Sequence, residues 1–192
     1  MSDVASPEIL VGVFREQDWP QETLAVLWNH AIQDQPQSLM WRTGTPVTLN
    51  EWIRWFSADH RLVVLPVEKP ADGAPTVQDI LGIVWLDDID HGCASGHFWF
   101  RKQGMMCRKP LRAGLKALEF AFTTLSFQVL WCKLNANNHV AVKFAQRLGF
   151  TMLGEIPLWY GHGDVRYPAA IGYLTALMWQ EKKVTHGIFR SI

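Results

Sequence analysis

The stretch that most constrains the fold is residues 135–150, NANNHVAVKFAQRLGF. Its apolar side chains recur at helical spacing, at Val140, Ala141, Phe144, Ala145 and Leu148. Asn137 or Asn138 can cap the first free amides of a helix, and Gly149 suits the left-handed residue that ends one. Phe150 then begins another apolar run. The stretch therefore predicts a short capped helix between two strands.

Periodicity and turn residues divide the rest of the chain into elements. We predict seven strands, at 9–14, 61–67, 80–86, 96–101, 129–134, 151–157 and 173–180. Besides the helix that ends at Gly149, we predict helices at 18–33, 48–57 and 111–125. Residues 158–172 are predicted as a long loop. Gly114 lies inside the third helix, where it costs about 1 kcal/mol relative to alanine, so we expect a close neighbour there.

Five positions of the opening stretch form a recognisable motif. They are Asn138, Ala141, Leu148, Gly149 and Phe150. They resemble the N-x-x-[AS]-x(6)-L-G-F signature of acyl-CoA N-acyltransferases of the GNAT superfamily, and the helix is most similar to the ribosomal-protein N-terminal acetyltransferase branch. The predicted order of elements over residues 9–180 is also similar to that of the superfamily. The alternative interpretation of the motif is an ordinary strand–helix–strand corner.

The resemblance implies an α/β (α+β) fold in a single domain over residues 1–192. Its centre would be a mixed, mostly antiparallel seven-stranded sheet with about four helices. In this superfamily the fourth and fifth strands are parallel neighbours, joined by the third helix, and they splay apart to admit the pantetheine arm of acetyl-CoA. We therefore expect residues 96–101 and 129–134 to lie side by side and parallel.

The same resemblance implies an acetyl-CoA site whose pyrophosphate meets backbone amides at the start of the third helix. Here that segment, residues 101–111, reads RKQGMMCRKPL. The expected arginine and two glycines fall near Met106, Lys109 and Leu111, and Pro110 lacks an amide. The cofactor-binding candidates are Phe98, Trp99, Phe100, Gly104, Arg108, Lys109, Asn135, Asn138 and Phe144. Because the loop departs from the pattern, we predict that acetyl-CoA binds weakly or not at all.

Acyl transfer to an amine requires a base for the amine and an acid for the departing thiolate. The usual tyrosine position of the superfamily falls at Ala145. His97 is the candidate base, because imidazole exchanges protons near neutral pH; the alternative is a hydrogen-bonded structural histidine. The other histidines are dispersed, and Cys93, Cys107 and Cys132 lack paired spacing, so we expect neither a metal site nor a disulfide framework.

Composition excludes some classes of partner. Eighteen basic and eighteen acidic residues give a formal net charge of +0, which disfavours nucleic acid as a partner. The first ten residues lack the basic start and apolar run of a signal peptide, and no window reaches the ~18 apolar residues of a membrane span. We therefore expect a cytoplasmic protein that does not bind membranes.

Two functions stay open on this sequence. One is an enzyme that transfers an acetyl group from acetyl-CoA to a primary amine, with a protein N-terminus among the acceptors. The other is a catalytically degenerate GNAT-fold protein that binds a partner or has a structural role, as a homo- or hetero-oligomer. It is similar to some GNAT-like proteins of tailed bacteriophages, and this resemblance implies a virion component. The assembly role predicts a surface patch near Trp52, Trp55, Trp159 and Trp179.

Overall fold

The computed structural model describes residues 8–13, 21–34, 48–56, 62–101, 109–162 and 165–186. The strands are β1 (Ile9–Val13), β2 (Leu62–Glu68), β3 (Gly82–Asp90), β4 (Cys93–Phe100), β5 (Val129–Asn135), β6 (Thr151–His162) and β7 (Val165–Thr175). The α-helices in these ranges are α1 (Gln21–Asp34), α2 (Leu49–Phe56), α3 (Lys109–Thr123), α4 (His139–Leu148) and α5 (Ala176–His186). A 3-10 turn covers Val77–Asp79.

The strands form one sheet in the order β1-β2-β3-β4-β5-β7-β6. Every neighbouring pair is antiparallel except β4 and β5, which are parallel and joined through α3. The predicted mixed, mostly antiparallel seven-stranded sheet is therefore confirmed, and so is the parallel pairing of its fourth and fifth strands. None of the described helices is long and apolar enough to cross a membrane.

Alternation along the strands gives the sheet two separate cores. On one face, α1 and α2 pack through residues such as Leu27 and Trp52 on Trp85 and Trp99 of β3 and β4. On the other face, α3, α4 and α5 cover the centre of the sheet, including Leu130 of β5. We call the second surface the helix-rich face and the first the opposite face.

The α4 motif forms as the sequence predicts. The Asn138 side chain accepts a hydrogen bond from the amide of Ala141 at 3.1 Å, and Gly149 ends the helix with a φ of 103°. The ammonium of Lys182, on α5, donates to the carbonyl of Gly149. Phe150, the residue before β6, is buried. Local caps thus set the limits of α4, and α5 secures its end.

Gly114 has the close neighbour that its place inside α3 implied. A Cβ atom at Gly114 would lie 2.8 Å from a methyl group of Leu148 and 3.4 Å from the ring of Phe144, both on α4. The absence of a side chain therefore lets the two helices pack closely beside the sheet.

The chain after β6 differs from the prediction. Residues 158–172 are not a loop, because β6 continues to His162 and β7 begins at Val165. The predicted strand at 173–180 is also wrong, since β7 ends at Thr175 and α5 follows. Pro157 and Pro168 are residues typical of loops. Here they lie where the register of β6 and β7 shifts, and such irregularities tolerate proline. The Thr175 hydroxyl accepts from the amide of Met178 at 3.1 Å and starts α5.

The tryptophan patch expected for an assembly component does not form as predicted. Trp52 and Trp179 are 1% and 2% exposed, because each packs inside one of the two cores. Trp159 is half-buried, and the side chain of Trp55 lies outside the described part of the molecule.

Candidate functional site

The two parallel strands, β4 and β5, separate in the middle of the sheet. β4 pairs with β5 only over residues 93–95 against 129–131, so Ser95 and Trp131 form the last pair. Beyond them, no described strand pairs with the β5 side of β4, although β4 continues to Phe100. The backbone groups on that side of residues 96–100 are thus available to a ligand in an extended conformation.

A cavity of about 40 Å³ lies at this gap on the helix-rich face. Its walls come from β2 to β5, α3, α4 and Phe150, and are almost wholly apolar. They include Leu86, Gly96, Phe98, Gly114, Cys132 and Leu148. The cavity therefore suits a slender apolar group rather than a charged one.

Three predicted cofactor-binding residues meet beside the cavity. The ring of Phe144, on α4, lies 4.9 Å from that of Phe98 and 5.5 Å from that of Phe100. Trp99 lies on the opposite face, 1% exposed in the core with α1 and α2. The structure thus separates Trp99 from the other aromatic candidates, because successive residues of a strand alternate between faces.

The polar cofactor candidates have partners within the chain. Besides Asn138, which caps α4, the buried Asn135 accepts a hydrogen bond from the amide of Asn137 at 3.0 Å. Lys109, at the start of α3, places its ammonium 2.7 Å from the carboxylate of Glu68 on β2. Gly104 and Arg108 lie outside the described residues.

His97 lies next to the gap, on the opposite face. Its Nε2 is 2.9 Å from a carboxylate oxygen of Asp87, and its ring stacks on Trp85 with centroids 5.1 Å apart and planes 5° apart. The side chains of His97 and Asp87 are 26% and 20% exposed, so the pair is held firmly yet reached by solvent. Sequence reasoning missed Asp87. The hairpin register could have found it, because Trp85 pairs with His97 and Asp87 is two residues further along the same face.

A second polar pair crosses β4 at the point where the strands part. Asp88 has a φ of 50° at an irregularity of β3, and its carboxylate accepts hydrogen bonds from Ser95 at 3.1 Å and Lys133 at 3.0 Å. The hydrogen bond from Lys133 holds the pKa of the Asp88 carboxyl below its ordinary value. Because Lys133 is on β5, the contact links the two strands that flank β4.

Cys132 lies in the wall of the cavity, where its burial governs its reactivity. Cys132 is 1% exposed beside the cavity, and burial raises the pKa of its thiol to about 12. The thiolate is the reactive form, so this cysteine is unsuited to nucleophilic attack. Among the described residues, no group of three His, Cys, Asp or Glu side chains could hold a metal ion.

Comparison with known proteins shows similarity in structure rather than in sequence. No protein-family model and no curated protein matches the chain. It is similar to the spermidine N-acetyltransferase SpeG of Vibrio cholerae solved with CoA and spermine, with a TM-score of 0.69 and 13% identity over 90% of this chain and 98% of that one. SpeG solved with manganese ions gives a TM-score of 0.67 and 14% identity over 91% and 96%. The chain therefore has the GNAT acetyltransferase fold.

Proposed function

We propose that this chain is an N-acetyltransferase that moves an acetyl group from acetyl-CoA to a primary amine within a ternary complex. The observation that carries the proposal is the gap between β4 and β5, with an apolar cavity on one face and the His97–Asp87 pair on the other. An acyl carrier and an amine can meet at such a gap while keeping to opposite faces of the sheet.

The residues at the gap fit the pantetheine arm of acetyl-CoA. That arm is slender and carries two amide groups, which suit the backbone edge along residues 96–100. Phe98, Phe100 and Phe144 offer apolar contact beside it, and the cavity of about 40 Å³ has room for a few non-hydrogen atoms. When bound, acetyl-CoA supplies a thioester whose carbon–sulfur bond breaks as the amine nitrogen bonds to the acetyl carbon.

His97 is suited to take the proton of the amine. An ionised Asp87 can only accept hydrogen bonds, so in a neutral His97 Nε2 would carry the hydrogen between them and Nδ1 would keep its lone pair. Among the described residues His97 has no other hydrogen bond, which leaves Nδ1 for the acceptor. Asp87 would stabilise the imidazolium that forms, and Trp85 would keep the ring from turning.

A primary amine as acceptor is supported by the likeness to SpeG, which was solved with CoA and spermine. The protein N-terminus suggested by the motif at residues 138–150 remains a further class to test. The alternative function is a GNAT-fold protein without catalysis that serves in an assembly. The Lys109–Glu68 ion pair favours it, because a lysine that could meet phosphate is already neutralised.

The experiment is an acetyl-transfer assay that follows release of free CoA thiol. The acceptors are arylalkylamines, polyamines and a peptide with a free N-terminus, each at millimolar acetyl-CoA. We expect thiol release that depends on the amine, with a high KM for acetyl-CoA because the phosphate loop lacks its glycines, and loss of release in His97→Gln. No release with any amine, together with no heat on titrating millimolar acetyl-CoA, would favour the non-catalytic alternative.

A further inference from the structure

The opposite face of the sheet continues beyond His97 as an aromatic surface. Trp131 on β5 pairs in register with Tyr173 on β7, and their rings lie 5.8 Å apart at 45°. Their strand neighbours Leu130, Cys132 and Leu174 pack with α3 and α4, so the two rings point away from those helices. The core formed by α1 and α2 includes buried residues of β2, β3 and β4 but none of β5 or β7 among the described residues. Trp131 is accordingly 37% exposed.

This aromatic surface, formed by Trp131 and Tyr173, adjoins the proposed base. Ser95 is the register partner of Trp131, and His97 is two residues further along the same face of β4. A molecule that lies on the two rings can therefore direct a short substituent to His97 at the gap. The contact would be continuous with the proposed site and not a separate one.

The charges on this face argue against an acceptor with several positive groups. Asp87 is engaged by His97, and Asp88 by Lys133. Asp90, at the exposed end of the β3–β4 hairpin, lies 2.5 Å from His91. The carboxylate of Asp88 bonds to Ser95, the register partner of Trp131, and Lys133 neutralises it, so it offers no free negative charge to a second cation. Aromatic rings, in contrast, gain from stacking on Trp131 and Tyr173.

We infer that the acceptor is an arylalkylamine: one primary amine joined by a short chain to an aromatic ring that packs on Trp131 and Tyr173. The inference rests on the proposed function and narrows its substrate class. Trp131 and Tyr173 determine specificity in this arrangement, whereas His97 and Asp87 serve any amine.

The test measures binding as well as turnover. Saturation-transfer NMR and calorimetry, without acetyl-CoA, compare phenethylamine with spermidine on the wild-type chain and on Trp131→Ala, Trp131→Phe and Leu153→Ala. Leu153 is 60% exposed on β6 and serves as the matched control for loss of an exposed apolar side chain. Far-UV circular dichroism and thermal melting verify that each variant folds.

We expect wild type to bind phenethylamine more tightly than spermidine. Trp131→Ala should weaken phenethylamine binding about fivefold to tenfold, in the upper part of the range of an aromatic pair contact, and leave spermidine within about twofold. Trp131→Phe should recover most of the loss, and Leu153→Ala should change neither ligand. Tighter binding of spermidine, or an equal loss for both amines in Trp131→Ala, would overturn the inference.

The turnover arm separates this inference from the proposed function. Thiol release with spermidine that is unchanged by Trp131→Ala, together with no preference for phenethylamine, leaves the acetyltransferase standing and rejects the aromatic acceptor. Phenethylamine binding that needs Trp131, in a chain that releases no thiol with any amine, supports the aromatic surface and rejects the enzyme.

Discussion

The two faces of the sheet at the gap between β4 and β5 differ in polarity, burial and packing. On the helix-rich face, Phe98 and Phe144 close around an apolar cavity, and the pKa of the buried Cys132 thiol is about 12. On the opposite face, His97 and Asp87 are partly exposed and Trp131 is 37% exposed. The same strands supply both surfaces, since alternate residues point to opposite sides. A dry side that shields a thioester and a wet side that receives an amine can thus be built from one pair of strands.

The largest effect should come from the polar side of this comparison. We expect His97→Gln to lower kcat by about 100- to 10,000-fold, the range of general acid–base catalysis, because in the proposed reaction Nδ1 of His97 takes the proton of the amine. Asp87→Asn should cause a smaller loss and alter the pH profile of kcat, since the amide no longer stabilises an imidazolium. Asp90→Asn, at the exposed end of the hairpin, is the matched control and should keep activity. Wild-type activity in His97→Gln would assign the histidine a structural role.

Burial of Cys132 on the helix-rich face should make the protein less stable in alkaline solution. Above pH 9.0 the Cys132 thiol ionises in the unfolded chain but stays protonated in the folded one until about pH 12, so stability falls as pH rises through this window. The loss is about 1.4 kcal/mol per pH unit, or roughly 2 kcal/mol at pH 10.5. Urea unfolding of wild type and Cys132→Ala at several pH values isolates this contribution, since other titrating groups cancel in the difference. A stability difference that does not change with pH would show that the thiol is hydrated.

Because α3 and α4 pack closely on the helix-rich face, we expect a substitution at Gly114 that favours helix formation to destabilise the protein. Gly114→Ala should lower the free energy of unfolding by about 1 kcal/mol, because the methyl group meets Leu148 and Phe144, although helix propensity alone predicts a gain of about 1 kcal/mol. In a Leu148→Ala background the same substitution should stabilise the protein, because the Leu148 methyl groups that the new Cβ would meet are absent. Denaturant unfolding of wild type, the two single variants and the double variant gives the coupling free energy between the two sites. Additive effects would contradict the contact.

The smallest effect concerns the ion pair that spans β4. Lys133→Met should cost at most about 1 kcal/mol at neutral pH, since Asp88 is exposed and such pairs contribute little. The pKa of Asp88 is lowered in the folded state, so the contribution is present at neutral pH and disappears as acid protonates the carboxylate. Thermal melting at neutral and strongly acidic pH measures this, with Lys143→Met on the exposed side of α4 as control. A loss of stability that persists in acid would mean that Lys133 acts through packing.

Part of the fold and of the candidate site could be predicted from the sequence, and part could not. Asn138 and Gly149 identified α4 because a cap and a left-handed residue act within a few positions of the chain. The β6–β7 hairpin was missed, because Pro157 and Pro168 are tolerated only through a register shift that involves both strands. Asp87 was missed in the same way, since its relation to His97 arises from pairing between β3 and β4. The segment around Gly104 and Arg108 lies outside the described residues, so the predicted weakness of acetyl-CoA binding stays a prediction.

The sequence by itself determined the order of the elements up to β6 and the motif of α4. These depend on propensities and spacings that span a few residues, so each carries its own signal. Only the tertiary structure decided that pairing of β4 with β5 stops after Ser95 and Trp131, that His97 meets Asp87, and that Trp131 lies beside Tyr173 on the face opposite α3 and α4. Such relations join residues far apart in the chain, and they exist only once the strands have chosen partners and register.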